Sequence, residues 1–137
     1  MQPLKLVLLR EGKTPPDKRV PFTPLQTEEI EQRFPHVKVI CQPSHVRCFK
    51  DSEYAGLDIA IQEDVGDCDI LMGIKEVPIQ NLIASKTYLF FSHTLKKQPY
   101  NRKLLQEVLK KKIRLIDYET LKDQQGNRLV AFGRYAG

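Results

Sequence analysis

Five short apolar runs, at residues 4–9, 37–41, 69–75, 87–91 and 113–116, alternate with polar loops and helix-patterned stretches. Each has the length of a strand, and several are rich in β-branched or aromatic residues. They are apolar along much of their length, as strands covered by helices on both faces must be. Strands alternating with helices imply right-handed βαβ units and a parallel sheet. The expected fold is a three-layer α/β sandwich with a mainly parallel sheet, Rossmann-like or flavodoxin-like in outline.

Local signals place the helices. Thr23 is a natural N-cap, Pro24 suits the first helical position and Gln26 stands at the third, so a capping box is expected there. That helix continues through Leu25, Ile30 and Phe34 and should stop before Pro35. Asp51 is expected to cap a short helix ended by Gly56. The strongest amphipathic pattern runs from Tyr100 to Lys112, with Leu104, Leu105, Val108 and Leu109 expected on one side.

At 137 residues the chain fits one domain with a hydrophobic core. No run approaches the roughly 20 apolar residues of a membrane span. The first residues read straight into a strand with no signal-peptide pattern, so the expected location is cytoplasmic. Cys41, Cys48 and Cys68 make no CxxC pair or metal-ligand spacing and read as reduced thiols. The net charge of +5 raises the question of nucleic acid, but much of the excess sits at Lys110-Lys111-Lys112 and Arg114. Cations at a helix C-terminus complement its dipole. Without a zinc-finger, RNP or helix-turn-helix pattern, no nucleic-acid partner is expected. A mild positive field would equally draw a small anionic substrate.

In open parallel sheets, ligands bind beyond the carboxyl ends of the strands. Those ends carry Arg10-Glu11, Lys75-Glu76, Ser92-His93-Thr94 and Asp117-Tyr118-Glu119, which gathers ionisable groups on one edge. His93 has the side chain that titrates near neutrality. His36 and His45 belong to no such edge and read as surface residues. No GxGxxG follows the first strand, and no P-loop, zincin helix or GxSxG elbow is present. Residue chemistry alone therefore reaches an α/β domain with a basic, histidine-containing rim and no cofactor or metal site of its own.

At those same residues the sequence resembles the N-terminal domain of the alanine dehydrogenase, transhydrogenase and saccharopine dehydrogenase superfamily. Leu9-Arg10-Glu11 through Lys18-Arg19-Val20-Pro21-Phe22-Thr23-Pro24 resembles its opening block. Gly73-Ile74-Lys75-Glu76-Val77-Pro78 and Phe91-Ser92-His93-Thr94 resemble the next two. Residues 90–96, Gln98-Pro99-Tyr100-Asn101, residues 115–119 and residues 130–137 look like the saccharopine and lysine-ketoglutarate reductase branch.

The resemblance implies an enzyme: reversible, NAD- or NADP-dependent oxidation at a carbon bearing an amine, through an imine. Residues 1–137 would be the N-terminal substrate-binding domain of a longer two-domain dehydrogenase, with the cofactor bound mainly by the other domain. Its partner would be a small amino-acid or 2-oxo-acid substrate, with homo-oligomerisation expected to be available. Carried onto matching positions, Lys75 and His93 would be the acid–base pair. Arg19 would grip a substrate carboxylate, Lys96 and Arg128 would be further carboxylate contacts, and Glu76 and Glu119 would tune the pair. Imine chemistry needs proton transfer near neutral pH. Free lysine titrates near 10.4, so a lysine base needs burial or a neighbouring cation to lower it. Arginine's planar fork matches a carboxylate. The alternatives are an alanine dehydrogenase-type enzyme using pyruvate and ammonium, and a non-catalytic binding or regulatory module of the same fold.

Overall fold

The computed structural model describes residues 2–12, 15, 17–92 and 101–129. Strands β1 (Leu4–Leu8), β2 (Val37–Cys41), β3 (Ala60–Ile61), β4 (Ile70–Lys75), β5 (Thr87–Phe91) and β6 (Arg114–Asp117) form one sheet. Its order is β3-β2-β1-β4-β5-β6, and every ladder in it is parallel. This is the doubly wound dinucleotide-fold order, which separates it from the flavodoxin-like order. The strand order reverses between β1 and β4, so their carboxyl ends flank the crevice where connections leave in opposite directions.

Two apolar clusters sit on the two faces. Helix α3 (Arg102–Lys110) packs Leu104 and Val108 against Val7, Ile40, Leu71, Tyr88 and Phe90. On the other face, α1 (Pro24–Arg33) and α2 (Asp51–Ala55) supply Ile30 and Tyr54 against Leu8, Val39 and Cys41. Alternation along each strand sorts these side chains: Val7 faces α3 and Leu8 faces α1 and α2.

The capping box forms as expected. Gln26 N–H donates to Thr23 Oγ1 at 3.2 Å, and Thr23 N–H donates to Gln26 Oε1 at 3.0 Å. Helix α1 ends at Arg33, with Phe34 as its C-cap, before Pro35. At α2 the sequence expectation is corrected. Lys50 is the N-cap, Asp51 is the first helical residue, and Glu53 accepts the Lys50 N–H at 2.7 Å. Asp51 instead accepts the backbone N–H of Ser44 at 3.1 Å, holding the loop after β2. Gly56 is the C-cap, as expected, with right-handed angles, and the left-handed residue that turns the chain toward β3 is Asp58 (φ 63°).

Helix α3 departs from the expected apolar face. Leu104 and Val108 are buried while Leu105 and Leu109 are exposed, because the seam against the sheet follows the narrower i, i+4 line. Lys111 donates from Nζ to the Leu82 carbonyl at 3.1 Å, and Lys112 takes a left-handed turn (φ 54°) into β6. Cys41 and Cys68 are buried free thiols and Cys48 is an exposed one, while His36 and His45 are exposed. Among the described residues no helix is long and apolar enough to cross a membrane.

Candidate functional site at the carboxyl edge of the sheet

The crevice between β1 and β4 holds a hollow of about 320 Å³. Leu71 and Tyr88 line it from the sheet, and Arg10, Glu11, Lys75 and Glu76 contribute charge. Arg10 makes a two-pronged bond to Glu63, at 2.8 Å from each terminal nitrogen, and donates to the Pro43 carbonyl at 2.9 Å. It therefore ties the β1 end to the loop after β3. Glu11 reaches across to β4, accepting Ile74 N–H at 3.1 Å and Lys75 N–H at 2.8 Å. Burial pushes the Glu11 carboxyl above its ordinary range, and those two amide bonds pull the other way.

Lys75 ends β4 with its side chain 40% exposed. Its Nζ lies 3.9 Å from Asp17 Oδ2. Asp17 also binds Arg19, accepting from Nε at 3.0 Å and from Nη2 at 2.6 Å. The Asp17 carboxyl is held below its usual range chiefly by these Arg19 bonds. Thus two of the residues expected at the site, Lys75 and Arg19, meet on one carboxylate. Asp17 was not among the expected residues. Its one sequence signal is an acid two positions before an arginine in a proline-containing loop, a spacing that lets the side chain fold back on its own strand of backbone.

The last strand end supplies a second cluster. Asp117 is buried and accepts Ser92 N–H at 3.1 Å, the Ser92 hydroxyl, and Glu119 N–H at 2.9 Å. It fixes the backbone immediately before His93. Glu119 is buried, and its Oε2 lies 3.6 Å from Arg128 Nη2. Arg128 is brought there by a hairpin in which Lys122 bridges Arg128 and Gly126 turns the chain at φ 85°. Tyr118 joins the two clusters: its ring packs edge-on to Phe91 at 5.0 Å, and Phe91 is the register partner of Lys75. Among the described residues the buried Tyr118 hydroxyl has no hydrogen-bond partner, and burial followed by the nearby Glu11 charge pushes its pKa up. His93, Lys96 and residues 130–137 lie outside the described residues.

The first βα connection does not fit a dinucleotide's phosphates. A phosphate cradle places a glycine-rich turn directly on a helix N-terminus. Here α1 begins only at Pro24, and the intervening loop carries the carboxylates of Glu11 and Asp17. A Cβ on Gly12 would meet the Pro78 ring at 2.8 Å, so that glycine serves packing against the β4 loop. Among the described residues no group of acids, cysteines and histidines could hold a metal ion.

Comparisons with known proteins agree with this architecture. The chain is 42% identical over 132 residues to "Alpha-aminoadipic semialdehyde synthase, mitochondrial" from Mus musculus, covering 96% of this chain and 14% of that protein. It is 29% identical to "Saccharopine dehydrogenase [NAD(+), L-lysine-forming]" from Yarrowia lipolytica, covering 98% of this chain and 37% of that one. The chain thus spans a minor part of the length of these relatives. Among solved structures, an L-alanine dehydrogenase superposes with a TM-score of 0.72 at 13% identity, over 89% of this chain and 34% of that one. A transhydrogenase from Sinorhizobium meliloti superposes with a TM-score of 0.71 at 10% identity, over 88% and 36%. With the "Alanine dehydrogenase/PNT, N-terminal domain" family profile matching residues 7–137, the chain belongs to that family.

Proposed function

We propose that the chain is the substrate-binding part of an NAD(P)-dependent dehydrogenase acting on a CH–NH group, of the saccharopine dehydrogenase or lysine-ketoglutarate reductase kind. The observation that carries this reading is the meeting of Lys75 and Arg19 on Asp17 at the carboxyl edge of the sheet. In this reading Lys75 and His93 exchange protons with the substrate nitrogen and the carbinolamine oxygen as the imine forms or breaks. Arg19, already oriented by Asp17, receives a substrate carboxylate, with Lys96 and Arg128 as further contacts. Glu76 and Glu119 set the local field, Glu119 through its ion pair with Arg128.

A bound nicotinamide cofactor would accept the hydride in the oxidative direction and donate it in the reverse, its phosphates and ribose held by residues other than the β1 loop. A rim of arginine and lysine suits substrates that carry several carboxylates, because each planar or point cation can neutralise one. The deciding measurement is NAD(P)H oxidation by the longer protein that joins this domain to a cofactor-binding domain, with lysine plus 2-oxoglutarate against pyruvate plus ammonium. Turnover with the first pair supports the assignment. Turnover with pyruvate alone replaces it with an alanine dehydrogenase activity, and none with either points to a non-catalytic binding module.

A further inference from the structure

Consecutive N–H groups of a regular strand point to opposite neighbours. At the end of β4 they do not: Ile74 N–H and Lys75 N–H both go to the one carboxylate of Glu11. Over the same stretch β4 advances from Met72 to Lys75 while β5 advances from Leu89 to Phe91, three steps against two. One extra residue has been inserted on β4, which is a β-bulge; bulges bend the strand and re-aim the side chain that follows. The register shift is against β5, and the paired N–H groups face the other side of β4, where β1 lies. Here β1 has ended: its last bond to β4 is Leu9 N–H to the Met72 carbonyl at 2.8 Å, and a side chain takes over. Gly73 leaves room for it, since a Cβ there would stand 3.1 Å from Glu11 Oε2.

We infer that Glu11 is a positioning residue: it caps the β4 bulge and thereby aims Lys75 at Asp17 and Arg19. Glu11 touches the backbone of Lys75, so its effect on chemistry passes through the lysine. The inference rests on the proposed role of Lys75, but the clamp itself has a readout that needs no reaction. The Lys75 ammonium faces Asp17 directly, with Arg19 on the same carboxylate; Glu11 holds the Lys75 backbone, and Glu76 lines the same hollow.

The test labels lysine amines in the folded chain with limiting acetic anhydride, quantifies each site by mass spectrometry, and records the amide shifts of Ile74 and Lys75. In Glu11→Gln the relative labelling of Lys75 should change several-fold while Lys38 and Lys103 keep their rates, and both amide resonances should move. Gly73→Ala, which crowds the carboxylate with Glu11 retained, should reproduce that pattern if Glu11→Gln does not fold. Unchanged Lys75 labelling with unchanged amide shifts in a folded variant overturns the clamp. In the active protein, loss of aim should lower kcat on the order of 10²-fold with KM for NAD(P)H unmoved, since small misplacements of a catalytic group are this costly. Altered labelling with unaltered kcat would keep the clamp and remove Lys75 from the chemistry.

Discussion

The Asp17 carboxylate stands 3.9 Å from Lys75 Nζ, bridging the loop after β1 to the end of β4 across 58 residues of sequence. Because the same carboxylate binds Arg19, one acid orients two of the cations expected to meet substrate. The arrangement has the logic of a supported site, in which each functional side chain is held by a group that does not itself react.

Asp17 should leave a signature in acid. Its carboxyl is lowered by Arg19, so the stability it contributes is present above the unfolded value near 3.9 and is lost as pH falls through the lower folded value. Arg19 is substantially solvent-exposed, which screens the pair and keeps the contribution to about 1 kcal/mol or less. Asp17→Asn should therefore be less stable than the parent in urea at pH 7, and the gap should narrow as the pH is lowered below the ordinary carboxylate range. A gap that persists undiminished at pH 2 would assign the effect to packing instead.

Tyr118 is 3% exposed, and its buried hydroxyl has no partner among the described residues. An unsatisfied buried polar group costs about 1–3 kcal/mol. Tyr118→Phe keeps the ring against Phe91 and removes that cost, so the melting temperature of the ligand-free chain should rise by several degrees. A fall in melting temperature would mean that the hydroxyl is satisfied in solution.

The two faces of α3 should separate cleanly by mutation. Leu104 is 4% exposed in the sheet-facing cluster, and its replacement by Ala should cost about 2–4 kcal/mol. Leu109 is 71% exposed, and its replacement should stay within about 0.5 kcal/mol. Chemical denaturation of the two variants side by side measures the difference.

Thiol chemistry should distinguish the cysteines. Burial pushes the Cys41 and Cys68 thiols up to about 11, so neither is a thiolate near neutral pH, and both are shielded. Cys48 is exposed. Ellman's reagent should titrate one thiol in the folded chain and three in denaturant. Rapid reaction of more than one without denaturant would show that the β2 or β3–β4 region opens readily.

Much of the scaffold was legible because its signals are local. The Thr23–Gln26 box, Pro24 and Pro35 bracket α1 within a dozen residues, and the five apolar runs became β1, β2, β4, β5 and β6 nearly as expected. The two-residue β3 was missed because Ala60–Ile61 is too short for any pattern and exists only as an edge pair to β2. The Asp51 cap was misread because the competing acceptor, Ser44 N–H, is brought by a loop rather than by the helix itself.

By itself the sequence determined the alternating α/β plan, the strand ends that carry charge, and through its ordered motifs the kinship of the chain. It named Lys75, Glu76, Arg19, Glu119 and Arg128 as candidates. The tertiary structure alone decided which of them meet: Arg19 and Lys75 on Asp17, Arg128 on Glu119, and Glu11 on the bulge beneath Lys75. The reason is physical. Capping and alternation are set by neighbours three or four residues away, whereas these charges are joined by strand order and register, which exist only once the sheet has formed.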